Sequence, residues 1–551
     1  MNRELDCVVI GYNEQPIGSY EALIARYGRD SEAYRDLRLS FVDVDGEKVD
    51  YCSLLNRAAA ASRSGVATAP AEQFKSGDIP NLAAAYLTNA LRKRYSAAYI
   101  NLFQHEQHKL AELLALNPYC VAITTTFYVL NFPVMEIVKF VRAHNPEARI
   151  VVGGPLVGNY VRRMPASLLP AALEEIGADI YVVDGQGEAT LGRIVSALSS
   201  GADLDQVPNL LYRDGAGWRH TATVPEQNSM DDNIIDWTGL ADHQLGPTLQ
   251  TRTARSCAFN CSFCAYPERA GKLSLTSVDA VDRELATMRA LGFVRNVVFI
   301  DDTFNVPLPR FKELCRRLID SDFGFSWYSY FRCSNSDEEA IELAARSGCK
   351  GVFLGVESGS NEILANMNKR ATIEKYERGV EMLKRHGILT FGSFISGFPG
   401  ETEETFTETV EFIRRTELDY YRIQPWYCEP GTAIFARREE LGIKGEGFRW
   451  SHRTMDSAES IDRIEQAFLG ISESEWLPQW SFDFWIIPYL AGRGFTPERF
   501  RRFMEPANKM LALEIGGVGG QAKADRQAPL LDEMASAVAG IHEPANVGGA
   551  R

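Results

Sequence analysis

Short apolar runs alternate with helical segments over most of this chain, and that alternation restricts its fold more than any other feature. Residues 5–12 read as a buried strand, and residues 97–103, 120–125, 150–153 and 179–183 read as further strands. Helices over 81–95, 110–115, 133–143 and 189–199 separate them. A helix between two strands returns the chain to the same end of the sheet, so such strands pair in parallel with helices on both faces. The expectation is a Rossmann-like domain over 1–200, interrupted by an insertion of no clear period at about 13–78. Residues 201–249 read as a linker, with Pro208 and the run Asp231, Asp232, Asn233 as breakers. A second series follows, with strands at 250–255, 296–300, 325–331, 351–356, 389–395 and 420–424 and helices such as 278–291, 309–320 and 373–386. Six repeats fit a partial (β/α)6 barrel over 250–438, whose functional ends are the loops after each strand. Residues 439–515 read as mostly helical and rich in aromatics, and 516–551, rich in Gly and Ala, read as a disordered tail. The fold class is α/β.

A formal charge of −15 argues against nucleic acid as a partner, since phosphate binding needs a basic surface. The first ten residues lack the basic segment and apolar core of a secretory signal. No run approaches the roughly 18–20 apolar residues of a membrane span, and the apolar stretch at 485–490 is short and contains Pro488. A cytoplasmic protein with no membrane association is expected. Its ten cysteines show no secreted-type framework, and three of them crowd into eight residues.

Those three are Cys257, Cys261 and Cys264, spaced C-x3-C-x2-C directly after the first barrel strand. Iron–sulfur clusters are usually held by four thiolates. Three thiolates with no evident fourth would leave one iron open for a small chelating ligand, as catalytic zinc sites keep a position open. The amino and carboxylate groups of S-adenosylmethionine could fill it. A zinc site would want a fourth protein ligand within range. The segment, including Phe263 before the last cysteine, resembles the signature of the radical-SAM superfamily. The resemblance implies a 4Fe–4S cluster, S-adenosylmethionine and a 5′-deoxyadenosyl radical. It also implies contacts with S-adenosylmethionine from Phe263, Asp301, Asp302, Arg332, Glu357, Ser358, Ile395 and Gln424, all at or near strand ends. Asp301 and Asp302 depart from the commoner Gly-Gly-Glu form at that place.

The run CVAITTTFYVLNFPVMEIVKFVRAHNPEARIVVGGP and the later ADIYVVDGQGEATL resemble the cobalamin-binding domains fused to such barrels. The resemblance implies cobalamin held by Tyr12, Asn13, Gln15, Thr124, Thr125, Thr126, Gly153, Gly154, Gly185, Gln186, Gly187 and Glu188. Glycines at strand ends let a large ligand approach the backbone. Where many cobalamin proteins carry Asp-x-His-x-x-Gly, residues 13–18 read NEQPIG, so no axial imidazole is expected there. His105 and His108 sit in a polar stretch that reads as surface.

Segments such as IGYNE at 10–14, RTARSCAFNCSFCAYPERAGK at 252–272 and DDTFNVPLPRFKELCRRLI at 301–319 resemble the P-methyltransferase family of phosphinothricin tripeptide biosynthesis. The similarity runs over residues 1 to about 500. It implies transfer of methyl from methylcobalamin to the phosphinate phosphorus of a small-molecule or peptide-like substrate, with a flavodoxin- or ferredoxin-type one-electron reductant as partner. Methylation of an sp3 carbon, or a cyclisation or rearrangement without methyl transfer, is the alternative. Arg252, Arg332 and Arg422 could neutralise a phosphinate, although ion pairs within the barrel are the plainer role for them. Cys428 reads as a structural thiol.

Overall fold

The computed structural model describes residues 3–62, 74–126, 128, 130–215, 217–241, 243, 245–480 and 482–539. Residues 63–73 of the expected insertion and 540–551 of the expected tail lie outside the described residues. The chain forms two compact units. The first comprises Met1–Gln15, Gly77–Gly246 and Asp279–Gly292, and the second Pro16–Ser76, Pro247–Val278 and Phe293–Arg551.

The first unit is built on a seven-stranded sheet. Its order is Ala97–Leu102, Cys7–Tyr12, Cys120–Thr124, Arg149–Gly153, Ile180–Val182, Leu210–Asp214 and Gly217–His220. The first five strands are parallel and the last two antiparallel. Alternation along Cys7–Tyr12 fills both faces: Val8 and Ile10 join one apolar cluster, Cys7 and Val9 the other. A parallel sheet covered on both faces needs such near-continuous apolar strands. Each aliphatic side chain buried there contributes about 1.5–3 kcal/mol. The expected linker at 201–249 therefore needs correction. Its strands Leu210–Asp214 and Gly217–His220 extend the sheet, its residues up to Gly246 belong to the first unit, and those from Pro247 belong to the second.

The second unit holds a seven-stranded parallel sheet in sequential order: Thr248–Thr251, Asn296–Phe299, Ser326–Phe331, Cys349–Glu357, Leu389–Ser396, Tyr420–Pro425 and Glu475–Trp476. The two end strands do not pair with each other, so the barrel is open. Five strands fall where the periodicity places them, the first is Thr248–Thr251 rather than 250–255, and Glu475–Trp476 adds a seventh too short to leave a period of its own. The intervening helices are amphipathic. Leu308–Ser321, for example, buries Phe311, Leu314, Cys315 and Leu318 at intervals of three and four residues. The helix Val278–Ala290 gathers with the first unit from Asp279 onward rather than with the barrel.

Two further expectations change. The segment 16–76 is not an insertion packed on the first sheet, because it belongs to the second unit. It forms helices Ile17–Ile24, Glu32–Arg38 and Tyr51–Ser62 and the hairpin Phe41–Val44 with Glu47–Asp50. Arg35 and Arg38 pair with Glu465 at 2.7 and 2.9 Å, and the Trp476 indole donates to the Leu39 carbonyl at 3.2 Å. The described part of the expected tail is ordered as helix Gly520–Val538, which buries Met534, Ala537 and Val538. Among the described residues no helix is long and apolar enough to cross a membrane.

Candidate cofactor sites

The cysteine loop of the second unit is closed at its base and tied down along its length. Ala254–Arg255 pairs antiparallel with Ser274–Leu275, forming a stem. The buried Asp301 carboxylate accepts from the Thr253 and Ala254 amides at 2.6 and 2.9 Å and from the Thr253 hydroxyl at 2.5 Å. Asp301, expected near S-adenosylmethionine, is thus engaged in fixing the strand end from which the loop springs. Within the loop, Cys264 N–H donates to the Cys261 carbonyl at 3.1 Å, and the Tyr266 amide points at Cys264 Sγ from 3.4 Å. Cys257 Sγ lies 3.8 Å from the Thr303 hydroxyl.

Cys257, Cys261 and Cys264 are the half-exposed cysteines of the chain, whereas the other seven are buried. Burial raises the free thiols of Cys261 and Cys264, and neighbouring loop thiols push each the same way, so the three sulfurs share one locale. A thiolate forms there when a metal takes the proton's place. Among the described residues no trio of His, Cys, Asp or Glu converges tightly enough to hold a single metal ion. A cluster asks for less convergence, since each thiolate meets a different iron. Three thiolates on one pinned loop therefore fit a 4Fe–4S cluster with one open iron.

Inside the barrel, aromatic rings fill the lower lumen. Phe484 packs on Tyr328, Phe353 and Phe391 at centroid distances of 6.4, 5.8 and 6.1 Å, and Trp485 on Tyr330 at 5.4 Å. Toward the carboxyl ends of the strands Ile300, Tyr330, Glu357, Ile395 and Gln424 keep partial exposure, so the lumen opens there, on the side of the cysteine loop. Asp302 is exposed in part, and desolvation by the surrounding protein pushes its carboxyl up to about 6. Asp483 from the aromatic region accepts from the Trp485 amide at 3.0 Å, and burial pushes it up to about 7.

The remaining expected residues divide by what engages them. Arg332 is buried and stacked 3.7 Å above the Phe259 ring, and its Nη2 is enclosed without a partner among the described residues. Such a donor suits an anionic ligand oxygen. Glu357 pairs with Lys369 at 2.8 Å. Ser358 is fully buried against the Thr409 hydroxyl at 3.3 Å, in the wall rather than the lumen. Phe263 packs near Phe398 in an apolar cluster that also includes Ile395. Sequence reasoning missed Glu401, whose carboxylate accepts from the Gly397 amide at 2.5 Å and holds the turn after the fifth strand. Arg422 pairs with Asp36 at 2.9 Å through Nη2, the ion pair being the plainer role expected for it.

In the first unit the expected residues cluster at the carboxyl ends of the parallel strands. The Thr124 hydroxyl donates to the Gly11 carbonyl at 2.8 Å and the Thr125 hydroxyl to the Gly153 carbonyl at 2.9 Å, so both lock neighbouring strand ends together. Thr126 is exposed beside them. Gly154 has φ +110°, and a Cβ there would lie 2.8 Å from Thr125 Oγ1, so only glycine fits. The Asn13 amide N–H donates to the Tyr128 hydroxyl at 2.6 Å, and both Asn13 and Gln15 donate side-chain N–H groups to Glu136, at 3.0 and 2.8 Å. Tyr12 stacks on Tyr128 at 5.8 Å. The loop with Gly185, Gln186, Gly187 and Glu188 is held by Glu226, which accepts from the Ala189 and Thr190 amides at 3.0 and 2.7 Å.

Two enclosed polar groups here have no partner among the described residues: Asn13 Oδ1 and both amide atoms of Gln104. Buried polar atoms are nearly always satisfied, so each marks a place where a polar ligand or water belongs. Together with the glycine cradle they fit a large ligand rich in amide groups, such as a corrinoid. Gln104 carries no sequence signal, because a single amide in the polar stretch 104–109 belongs to no motif. His105 and His108 are exposed, and His108 pairs with Glu112 at 3.4 Å. Gly154→Ala is expected to cost the first unit about 1–3 kcal/mol through backbone strain. It should also lower the cobalamin retained after desalting, read from corrin absorbance.

Residues 251–413 match the Radical SAM superfamily. An uncharacterised methyltransferase of Pyrococcus horikoshii is 27% identical over 365 residues, covering 65% of this chain and 78% of that protein. The anaerobic magnesium-protoporphyrin IX monomethyl ester cyclase of Rubrivivax gelatinosus is 28% identical over 370 residues, and the chain spans 63% of its length. Among solved structures, the radical S-adenosylmethionine methyltransferase TsrM of Kitasatospora setae, with cobalamin and a 4Fe–4S cluster bound, superposes with a TM-score of 0.56 at 19% identity, covering 83% of this chain and 96% of TsrM. Residues 251–413 are thus a radical SAM domain, and the chain has the fold of TsrM.

Proposed function

We propose that this protein is a cobalamin-dependent radical SAM methyltransferase that methylates the phosphorus of a small H-phosphinate, such as an amino acid or short peptide bearing that group. The observation that carries the reading is the trio of half-exposed thiols, Cys257, Cys261 and Cys264, on a pinned loop after the first strand of the open barrel. When bound, the cluster and S-adenosylmethionine supply a 5′-deoxyadenosyl radical and cobalamin supplies the methyl group. The chain's own part is placement and shelter. Arg332 would offer a buried N–H to the carboxylate of S-adenosylmethionine and Asp302 would suit its amine, while Glu401 shapes the turn after the fifth strand and Gln424 and Ile395 keep partial exposure at the strand ends. The aromatic floor of Tyr330, Phe353 and Phe484 gives the site a wall with few weak C–H bonds and excludes solvent. Asn13, Gln15, Gln104 and the loops at Thr124–Thr126, Gly153–Gly154 and 185–188 hold cobalamin.

The phosphorus acceptor rests on the resemblance of the 10–14, 252–272 and 301–319 segments, and a flavodoxin- or ferredoxin-type protein is the proposed electron source. The test is anaerobic turnover of the reconstituted protein with methyl-deuterated S-adenosylmethionine and an H-phosphinate amino acid. The one-bond P–H doublet in the phosphorus NMR spectrum should collapse as a trideuteromethyl group appears by mass. A retained doublet with label on carbon would replace phosphorus by a carbon acceptor. Product without label would replace methyl transfer by cyclisation.

A further inference from the structure

Beside the cysteine loop the fold maintains an arrangement that packing alone does not call for. The strand Cys349–Glu357 slips register against its neighbour between Gly355 and Glu357, and Glu357 takes a φ of +72°. Such a conformation is strained for any residue but glycine. The strain turns the Glu357 carboxylate onto Lys369 Nζ at 2.8 Å, with the two side chains 13% and 9% exposed. Gly355 makes the room: a Cβ there would lie 2.7 Å from Glu357 Oε1 and 3.4 Å from Lys369 Nζ.

The segment carrying Lys369 is stitched to the cysteine loop. Ser262 donates its amide to the Met367 carbonyl at 2.9 Å and its hydroxyl to the Asn366 carbonyl at 3.0 Å, while the Asn368 side chain donates to the Asn260 carbonyl at 2.9 Å. Lys369 Nζ stands 5.8 Å from the ring of Phe263, between Cys261 and Cys264 in sequence. A buried ion pair is a poor source of stability, because desolvation offsets most of the attraction. A pair held by strain at this place is better explained by its field. Cluster potentials follow net charge and exposure, and reduction adds one negative charge.

We propose that Lys369 and Glu357 set the reduction potential of the cluster in the cysteine loop, the lysine raising it and the glutamate lowering it. The inference rests on the cluster reading made above. Lys369 stays charged throughout, so the effect is that of a fixed field. Removing the cation leaves the Glu357 charge alone beside the reduced cluster; removing the anion leaves the ammonium unopposed.

The test is an EPR-monitored redox titration of anaerobically reconstituted full-length protein, without S-adenosylmethionine, for the wild type, K369M, K369R and E357Q. At a poise that half-reduces the wild type, K369M should show at least about a tenfold lower ratio of reduced to oxidised cluster, which is about 59 mV for one electron. E357Q should shift in the opposite direction, and K369R should stay near the wild type. Midpoints of K369M and E357Q that match the wild type, or that move the same way, overturn the proposal. If K369M holds no cluster, the upward shift of E357Q decides. A wild-type protein that assembles no 4Fe–4S cluster overturns the cluster reading itself, and this proposal with it.

Discussion

Replacing Cys261 by alanine is expected to remove the 4Fe–4S absorbance and EPR signal after reconstitution and to drop 5′-deoxyadenosine release to that of a protein-free control. Cys257→Ala and Cys264→Ala should do the same. The expectation is strong because no spare ligand stands by: the other seven cysteines are buried, and among the described residues no His, Cys, Asp or Glu trio offers another centre. Two thiolates would leave a second iron unprotected, and such a cluster loses iron to solvent. The control is Cys428→Ala. That buried thiol contacts the Gly445 carbonyl at 3.8 Å, so its loss should alter stability while the iron content stays at the wild-type value. Iron and sulfide per chain, measured beside circular dichroism, separate loss of cluster from loss of fold. Full iron content in Cys261→Ala would remove the loop from the mechanism.

Replacing Asp36 by alanine is expected to destabilise the second unit by about 3–5 kcal/mol, the usual result of stranding one member of a buried ion pair. Arg422 is 1% exposed, and Asp36 is its charge partner at 2.9 Å. Burial pulls Arg422 down and pushes Asp36 up, so desolvation outweighs attraction on both sides. The pair is therefore a weak stabiliser against an apolar substitute and a costly one to break. Asp36→Leu combined with Arg422→Met should return most of the loss, because the site then holds no charge at all. Urea unfolding followed by tryptophan fluorescence reads both results, since Trp476 lies under the guanidinium at 4.6 Å. A double variant as unstable as Asp36→Ala would show that the pair is more than mutual neutralisation.

The parts of the molecule legible in sequence were those encoded locally. Cys257, Cys261 and Cys264 are covalent neighbours on one loop, so their spacing alone announces a shared ligand. Barrel strands such as Leu389–Ser396 are apolar runs bounded by turn residues, and the repeat supplies their order. The Asp36–Arg422 pair could not be read, since 386 residues separate its members. Nor could the role of Asp301, whose partners Thr253 and Ala254 are brought to it by strand pairing across a crossover helix. The helix Gly520–Val538 was misread because the glycines at 516–520 dominate the composition of the tail, while residues 521–538 are rich in Ala, which favours helix. The segment 16–62 hides for another reason. Its helices are seven to twelve residues long and draw their apolar partners, such as Trp480 beside Tyr20 at 4.3 Å, from the far end of the chain.

The path of the backbone between the units also governs how the protein must be made. The chain changes unit after residues 15, 76, 246, 278 and 292, so no single cut yields either body whole. A ribosome releases Cys7–Tyr12 before the strands on either side of it, and releases 16–62 long before the 457–538 region that covers it. Early synthesis therefore leaves both segments waiting with uncovered apolar faces. Shortened gene fragments starting near residue 247 should give aggregates unless residues 16–76 are supplied alongside, and folding in the cell should depend on chaperones until translation nears its end.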